Sequence, residues 1–425
     1  MKHRSHPVQH WLTAVTASIG LLFATHCLAQ PTPAAATPQA TPQPAAQPTP
    51  SLPAPGPTPM SPAPTPPGSA WLVMDYASGR VLAGENVDAP LDPASITKVM
   101  TSYVLAAEMA AGRVKAEDEV LISENAWRSG GAGTDGSFSA LAVGSRVKLS
   151  DIELGLVVQS GNDAAIAIAE HVAGSEAAFS DMMNRYAESL GMSQSHFANS
   201  HGLTAEGHHM SARDIGILSA ALIRNFPDHY ALYAIKEYTY SGIKQYNRNG
   251  LLWKDDSVDG VKTGHTAAAG YCLAASASRA GQRLISVVMG IQGSRKEGFR
   301  QREDANLALL NWAFRHFETH TLYAANSAVA TSKLWKGEST EMPVGVAEDV
   351  IATIPRGRYA ELAASLDIPP QLVAPITKGQ TIGTLRVALD GEPVAERPLI
   401  ALADAPEAGF FSRQWDGLMM WWESE

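Results

Sequence analysis

The sequence predicts a mixed α/β (α+β) fold, in which helices pack on an antiparallel sheet, followed by a small all-β domain and a C-terminal amphipathic helix. Strand-like runs at residues 71–83 and 261–289 enclose a long region of helical periodicity, which predicts the first unit. From about residue 319, short apolar runs separated by turn residues predict the second unit. With 425 residues and 45% hydrophobic content, the chain is long enough for two domains with proper cores.

The first 29 residues have the pattern of an export signal. Basic residues at positions 2–4 precede an apolar run over 11–25, and a small-x-Ala cleavage site ends at Ala29. The run is too short to be a comfortable membrane span. A lipoprotein would use Cys27, but His26 before it is not the small residue that such processing needs. We therefore predict a cleaved signal peptide over residues 1–29.

Residues 30–68 form a low-complexity segment of Pro, Ala, Thr and Gln, which predicts an extended linker. If Cys27 leaves with the signal, Cys272 remains alone, and no disulfide framework is expected. Cys272 lies in an apolar strand-like stretch and is predicted to be a buried structural residue. A formal net charge of -10 argues against nucleic acid as a partner.

The first folded domain is predicted over residues 69–318. It begins with a β-hairpin over 71–83, followed by a helix that starts near Pro93 and a Gly/Ser-rich loop over 127–144 that could edge a site. Further helices are predicted over 163–172, over 215–224 behind a Ser211 cap, and over 302–317, with a long loop at 290–301. Strands are predicted over 261–266, 271–277 and 284–289.

The remaining chain is predicted to form a β-rich domain over residues 319–404 and an amphipathic helix over 405–425. The helix is too short and too charged to span a bilayer, so it suits the membrane interface. A helix that packs on its own protein is the alternative. Its apolar face is predicted to comprise Phe410, Phe411, Trp415, Leu418, Met419 and Trp422.

The candidate nucleophile is Ser95, which lies three residues before Lys98. Positions i and i+3 share one face of a helix, so the Lys98 amine can reach the Ser95 hydroxyl. A serine hydroxyl needs an adjacent base, and lysine can serve only if burial or a neighbouring cation keeps it neutral. Such a pair alone carries little information, because Ser-x-x-Lys occurs by chance in many chains.

Two further motifs follow in the chain, Ser160-Gly161-Asn162 and Lys262-Thr263-Gly264. This order of Ser-x-x-Lys, Ser-x-Asn and Lys-Thr-Gly is the signature of penicillin-binding proteins and serine β-lactamases. The chain resembles the low-molecular-mass penicillin-binding proteins, the D-alanyl-D-alanine carboxypeptidase family, from about residue 69 to its C-terminus. Four stretches outside the Ser-x-x-Lys motif share the resemblance: 159–163, 247–253, 258–266 and 353–357.

The resemblance implies a penicillin-recognising transpeptidase/β-lactamase-like domain and a role for each motif residue. Ser95 would attack the D-alanyl-D-alanine bond with Lys98 as base, and Ser160 would pass a proton to the leaving D-alanine. Asn162 and Gly264 would hold the substrate backbone, and the N–H groups of Ser95 and His265 would form the oxyanion hole. The residues implied to bind the substrate carboxylate are Lys262, Thr263 and Arg302, of which Arg302 is the weakest match to the family pattern.

The implied substrate is the peptidoglycan stem peptide, and β-lactam antibiotics would acylate the same serine without a metal or cofactor. The implied location is the periplasm, with peripheral attachment to the inner membrane. Three alternatives remain open: a β-lactamase using Glu206, a zinc peptidase using His201, His208 and His209, and a non-catalytic wall-binding scaffold. Carboxypeptidase and endopeptidase action share this chemistry, so the motifs do not separate them.

Overall fold

The computed structural model describes residues 60–134 and 136–423. The predicted signal peptide and residues 30–59 of the predicted linker lie outside the described residues. The helices are α1 Lys98–Ala110, α2 Glu124–Gly130, α3 Leu149–Leu154, α4 Asn162–Ala173, α5 Glu176–Ser189, α6 Ala212–Asn225, α7 Pro227–Ala231, α8 Arg295–His316 and α9 Phe410–Glu423. The strands are β1 Ala70–Asp75, β2 Val81–Glu85, β3 Glu119–Leu121, β4 Arg146–Lys148, β5 Glu237–Tyr240, β6 Ile243–Tyr246, β7 Val258–Thr266, β8 Gly270–Arg279, β9 Gln282–Ile291, β10 Phe317–Tyr323, β11 Ala328–Trp335, β12 Glu341–Val346, β13 Val350–Pro355, β14 Ala363–Asp367, β15 Leu372–Val373, β16 Thr381–Leu389 and β17 Glu392–Ala401.

A five-stranded antiparallel sheet, in the order β2-β1-β9-β8-β7, forms the centre of the first domain. The predicted hairpin over 71–83 is confirmed as β1 and β2, and β1 also pairs with β9. Because side chains alternate along a strand, β8 serves two cores. Cys272 and Ala274 face a core shared with α1, α4 and α6, whereas Leu273 and Ala275 face a core shared with α8. The sheet is therefore covered by helices on both faces.

Serine residues cap the N-termini of three helices, α2, α5 and α6. Ser211 accepts a hydrogen bond from the Asp214 N–H at 3.1 Å, which confirms the predicted cap of α6. Ser123 and Ser175 cap α2 and α5 in the same way. Each cap satisfies an N–H group that has no partner within its helix.

The predicted loop over 290–301 is wrong in its second half, because α8 begins at Arg295 and residues 295–301 are helical. Gly298 obscured this helix in the sequence, since glycine weakens helix propensity. The position requires glycine because a Cβ atom there would lie 2.1 Å from the Tyr271 ring. Close packing of α8 on β8 thus overrides local propensity, and Arg302 falls in the second turn of the helix.

The predicted loop over 127–144 is also shorter than expected, because α2 extends to Gly130. A Cβ atom on Gly130 would lie 2.4 Å from the Asp163 nitrogen, so this glycine allows α2 to approach α4 closely. Beyond it, the Asp163 carboxylate accepts hydrogen bonds from the N–H groups of Ser139 and Leu141. This segment lies beside Asn162, as the sequence predicts for a loop at the edge of a site.

The β-rich domain is confirmed, and its main sheet has six strands in the order β14-β16-β17-β12-β11-β15. It joins the first domain through polar contacts at β10 and β13. The Thr353 carbonyl accepts from Arg80 Nη1 at 2.7 Å, and Thr319 Oγ1 donates to Asp75 Oδ2 at 2.5 Å. Arg356 Nη2 also donates to the carbonyls of Phe314 and Phe317, which closes the C-terminal end of α8.

The last helix, α9, contacts the β-rich domain. The Lys336 N–H donates to Asp416 Oδ2 at 2.6 Å, and Gln371 Nε2 donates to the Met420 carbonyl at 3.3 Å. All six residues of the predicted apolar face are exposed, including Phe411 at 87% and Trp422 at 74%. Within the described residues, no helix is long and apolar enough to cross a membrane.

Candidate active site

Ser95 and Lys98 occupy the junction between a 3₁₀ turn, Ala94–Thr97, and α1. The distance from Lys98 Nζ to Ser95 Oγ is 2.9 Å, so the spacing of three residues brings the two groups into hydrogen-bond contact as predicted. The same Nζ donates to Asn162 Oδ1 at 2.7 Å and to the His201 carbonyl at 2.7 Å. The amine is therefore held from three sides.

Lys98 is 1% exposed, and burial lowers the pKa of its amine from the usual 10.5 to about 7. The charges of Asp163 and Glu176 act in the opposite direction and raise this pKa. Lys262 is equally buried, and desolvation, followed by the charges of Lys98, Arg248 and Arg302, lowers its pKa. Because both amines are buried and their charges repel each other, at least one of them is favoured in the neutral form.

Ser160 and Asn162 lie where the π-helical segment Gly155–Gln159 meets α4. Ser160 has a left-handed backbone with φ of 70°, which reverses the chain so that Asn162 can begin α4 and face Lys98. The Ser160 hydroxyl is buried and has no hydrogen-bond partner among the described residues. A buried, unpartnered hydroxyl is available to a substrate or a water molecule.

Lys262, Thr263 and Gly264 lie on β7, which is confirmed as a strand and is the edge of the central sheet. The sequence attributes Gly264 to contact with a substrate backbone. In the structure, a Cβ atom at this position would lie 2.6 Å from the Pro93 carbonyl oxygen. Glycine is therefore required for β7 to pack against the turn that carries Ser95.

Arg302 is brought to the same strand from α8. It is 2% exposed, and its Nη1 donates to the Gly264 carbonyl at 3.4 Å while its Nη2 donates to the Arg248 carbonyl at 3.2 Å. Burial lowers the pKa of Arg302 to about 10. His265 is exposed at the end of β7 and stacks on Tyr271, with ring centroids 4.1 Å apart.

Three groups of the site were not predicted from the sequence. The His201 carbonyl accepts a hydrogen bond from Lys98 Nζ, and the charge of the Asp163 carboxylate raises the pKa of Lys98. The charge of Arg248, like that of Arg302, lowers the pKa of Lys262. Backbone carbonyls carry no sequence signal. Arg248 lies between Asn247 and Asn249, and Asn249 Nδ2 donates to the Gly260 carbonyl on β7 at 3.0 Å. The Asn-Arg-Asn pattern is therefore the feature of the sequence that could have indicated Arg248.

The residues of the two alternative mechanisms, a zinc peptidase and a β-lactamase that uses Glu206, are not arranged as those mechanisms require. His208 is buried and its Nε2 lies 2.8 Å from Thr97 Oγ1, whereas His209 Nδ1 lies 2.8 Å from the Gly207 carbonyl and its ring stacks on His196. Over residues 60–134 and 136–423, no group of three or more metal-ligating side chains could hold a metal ion. Glu206 is exposed on its loop.

Comparison with known proteins identifies the family. Residues 60–293 match the family model described as D-alanyl-D-alanine carboxypeptidase. The chain belongs to this family of serine peptidases. Residues 317–407 match the model of the C-terminal domain of penicillin-binding protein 5. The β-rich domain is thus similar to the C-terminal domain of that protein.

Individual relatives agree with this assignment. The chain is 45% identical over 354 residues to the D-alanyl-D-alanine carboxypeptidase DacC of Escherichia coli, covering 83% of this chain and 87% of that protein. Penicillin-binding protein 5 of Haemophilus influenzae superposes with a TM-score of 0.78 at 38% identity, over 82% of this chain and 100% of that one. Penicillin-binding protein D2 of Listeria monocytogenes in an ampicillin-bound form has a TM-score of 0.51 at 25% identity, over 60% and 100%.

Proposed function

We propose that Ser95 is the nucleophile with which this serine-type D-alanyl-D-alanine carboxypeptidase removes the terminal D-alanine from peptidoglycan pentapeptide stems. The observation that carries the proposal is the buried Lys98 amine, which contacts Ser95 Oγ at 2.9 Å and has its pKa lowered to about 7. The pair therefore contains a nucleophile and a base that is substantially neutral at physiological pH.

Acylation follows from this pair. Ser95 Oγ bonds to the carbonyl carbon of the penultimate D-alanine while its proton moves to Lys98, and the N–H groups of Ser95 and His265 stabilise the oxyanion. The C–N bond then breaks, and the proton taken up by Lys98 reaches the departing D-alanine amine through the Ser160 hydroxyl, which leaves both side chains as they began. Water hydrolyses the acyl-enzyme to release the tetrapeptide. No metal or cofactor takes part in these steps.

Substrate recognition is assigned to the edge of β7 and its surroundings. The substrate backbone pairs with the free edge of β7, and a substrate carbonyl accepts a hydrogen bond from Asn162 Nδ2. Lys262 and Arg302 supply positive potential for the terminal carboxylate, and Thr263 offers it a hydroxyl. Arg302 acts mainly through its charge and its hold on the Gly264 carbonyl, because its side chain is 2% exposed.

β-Lactams are proposed to acylate the same serine, since their strained amide resembles the D-alanyl-D-alanine bond. The ampicillin-bound form of the Listeria relative supports this ligand class. A fluorescent penicillin should label the purified protein at one site, which peptide mass spectrometry should locate at Ser95. Labelling should disappear in Ser95→Ala and persist in Ser129→Ala, whose hydroxyl is exposed on α2. Retained labelling of Ser95→Ala would contradict the proposal.

The location is proposed from the two ends of the chain. The signal-like sequence over residues 1–29 supports export to the periplasm. The exposed apolar face of α9 supports peripheral attachment to the inner-membrane surface. Two charged side chains of α9 are directed at the protein and leave the apolar face free for the membrane: Asp416 accepts from the Lys336 N–H, and Arg413 pairs with Glu407.

A further inference from the structure

Glu176 begins α5 and contacts the segment that holds the Lys98 amine, although it belongs to none of the catalytic motifs. Its Oε1 accepts hydrogen bonds from the Ser200 N–H at 3.1 Å and from the Ser200 hydroxyl at 2.6 Å. The same oxygen lies 3.4 Å from His201 Nε2. One carboxylate oxygen therefore fixes two consecutive residues.

Those two residues connect Glu176 to the site. The Ser200 carbonyl accepts from Thr101 Oγ1 at 2.5 Å, and the His201 carbonyl accepts from Lys98 Nζ at 2.7 Å. His201 is neutral near physiological pH, since burial and the charge of Lys98 lower its pKa to about 3. Its Nδ1 accepts from the Leu203 N–H, so its remaining proton is on Nε2, which faces Glu176.

The charges that face Lys98 come from three elements and one loop. Asp163 on α4 and Glu176 on α5 are anionic and favour the protonated amine, whereas Lys262 on β7 disfavours it. His201 and His208, from the loop between α5 and α6, have pKa values lowered by burial and add little charge at neutral pH. Asp163 also accepts three backbone N–H groups, so Glu176 is the anion whose charge can be removed with the least structural change.

We propose that Glu176 is a positioning residue for Lys98: its carboxylate fixes the turn whose carbonyl holds the amine, and its negative charge opposes loss of the amine proton. This inference rests on the proposed role of Lys98 as the base for Ser95. Glu176 thereby moves the lower pH limit of acylation to a higher pH than the site would have without its charge. The side chain is 25% exposed, so its charge is partly screened by water.

The test is the pH profile of acylation by a fluorescent penicillin between pH 5 and pH 9. Glu176→Gln keeps an oxygen that can accept from Ser200 but removes the charge. The midpoint of the acid limb should move to lower pH by about 0.5 unit, because the charge of Glu176 raises the pKa of Lys98 and screening by water limits the effect of its removal to a fraction of a unit. Acylation at the lowest pH should rise about threefold relative to the plateau.

Two further variants separate charge from structure. Glu176→Ala should show the same shift and also a lower plateau, because the His201 carbonyl is no longer held. Asp181→Asn removes the same charge from an exposed position on α5 and should leave the profile unchanged. The plateau refers to the acylation rate, so a final labelling of one penicillin per protein at pH 9, reached at any rate, verifies that each variant is folded.

The outcomes distinguish this inference from the proposed function. A normal wild-type profile with an unmoved acid limb in Glu176→Gln would contradict the role of Glu176 alone. A shift of that limb to higher pH would do the same. A wild-type protein with no acid limb would contradict both the role of Lys98 and that of Glu176.

Discussion

At the active site, the Lys98 amine has three neighbours, of which two can only accept hydrogen bonds. Asn162 Oδ1 and the His201 carbonyl together take two N–H groups. A neutral amine has two N–H groups and one lone pair, so the lone pair is directed at Ser95 Oγ, 2.9 Å away. The arrangement therefore selects the orientation of the amine that can accept the serine proton.

Burial also supplies the neutral amine in useful amounts. A lysine with the usual pKa of 10.5 is neutral in about one molecule in 3,000 at pH 7. A pKa of about 7 makes it neutral in about half of the molecules. Since the base must be neutral to act, acylation should increase as pH rises through this value.

We therefore predict an acid limb near pH 7 in the acylation rate of the wild-type protein. Lys98→Arg should lose this rate by roughly 1,000-fold or more at every pH from 5 to 9, because a guanidinium does not release its proton in this range. Stopped-flow labelling with a fluorescent β-lactam measures both quantities. Lys244→Arg, at an exposed lysine on β6, is the matched control. A Lys98→Arg protein with more than a tenth of wild-type activity would contradict the assignment.

The sequence motifs name Ser160, Asn162 and Lys262 beside the Ser95–Lys98 pair, but they do not name every group around Lys98. Ser95 and Lys98 meet because they are three residues apart in a helical turn. Asp163 and the His201 carbonyl meet Lys98 only because α4 and the loop before α6 pack around α1. Contact of Gly264 with a substrate backbone stays a prediction, and the structure adds a second reason for glycine, the close approach of the Pro93 carbonyl.

Among the helices, α8 shows how packing decides a boundary that propensity does not. Gly298 made residues 290–301 resemble a loop, whereas contact with Tyr271 makes the glycine necessary within a helix.

Residues 60–68 also show that composition alone does not predict whether a segment packs on a domain. Their proline content predicts a linker, yet Trp312 Nε1 donates to the Ser61 carbonyl at 2.9 Å and Pro66 is buried. The part of the chain that packs on the catalytic domain thus begins before residue 69.

For α9, we predict binding to phospholipid vesicles through the exposed aromatic side chains. The protein should sediment with vesicles of phosphatidylethanolamine and phosphatidylglycerol, and high salt should have little effect because burial of apolar area supplies the attraction. The double variant Phe411→Ser, Trp415→Ser should reduce binding about tenfold or more, since each large apolar side chain contributes about 1.5–3 kcal/mol when fully buried.

The matched control for this measurement is Tyr359→Ser, which removes an aromatic residue that is 51% exposed outside α9. It should bind vesicles as well as the wild-type protein. Equal binding by the double variant would show that α9 does not attach the protein. In that case the alternative of a helix packed on its own protein would be favoured.

In the whole molecule, the catalytic and β-rich domains are joined by buried and partly buried polar contacts. Asp75, Thr319 and Thr353 form a hydrogen-bonded cluster at the junction, and Arg356 closes the end of α8. The two-domain order and the β-rich character were predictable from the spacing of strands and turns. The contact of Thr319 with Asp75 was not, because it joins residues 244 positions apart.

The central claim is that Ser95 acts as the nucleophile of a D-alanyl-D-alanine carboxypeptidase. The most direct measurement is D-alanine release from a purified peptidoglycan pentapeptide, with wild-type protein and Ser95→Ala side by side. We expect one equivalent of D-alanine per pentapeptide from the wild type and none from the variant. Equal release by Ser95→Ala would contradict the claim, and no release by a wild type that penicillin still labels would instead favour endopeptidase action on cross-linked stems.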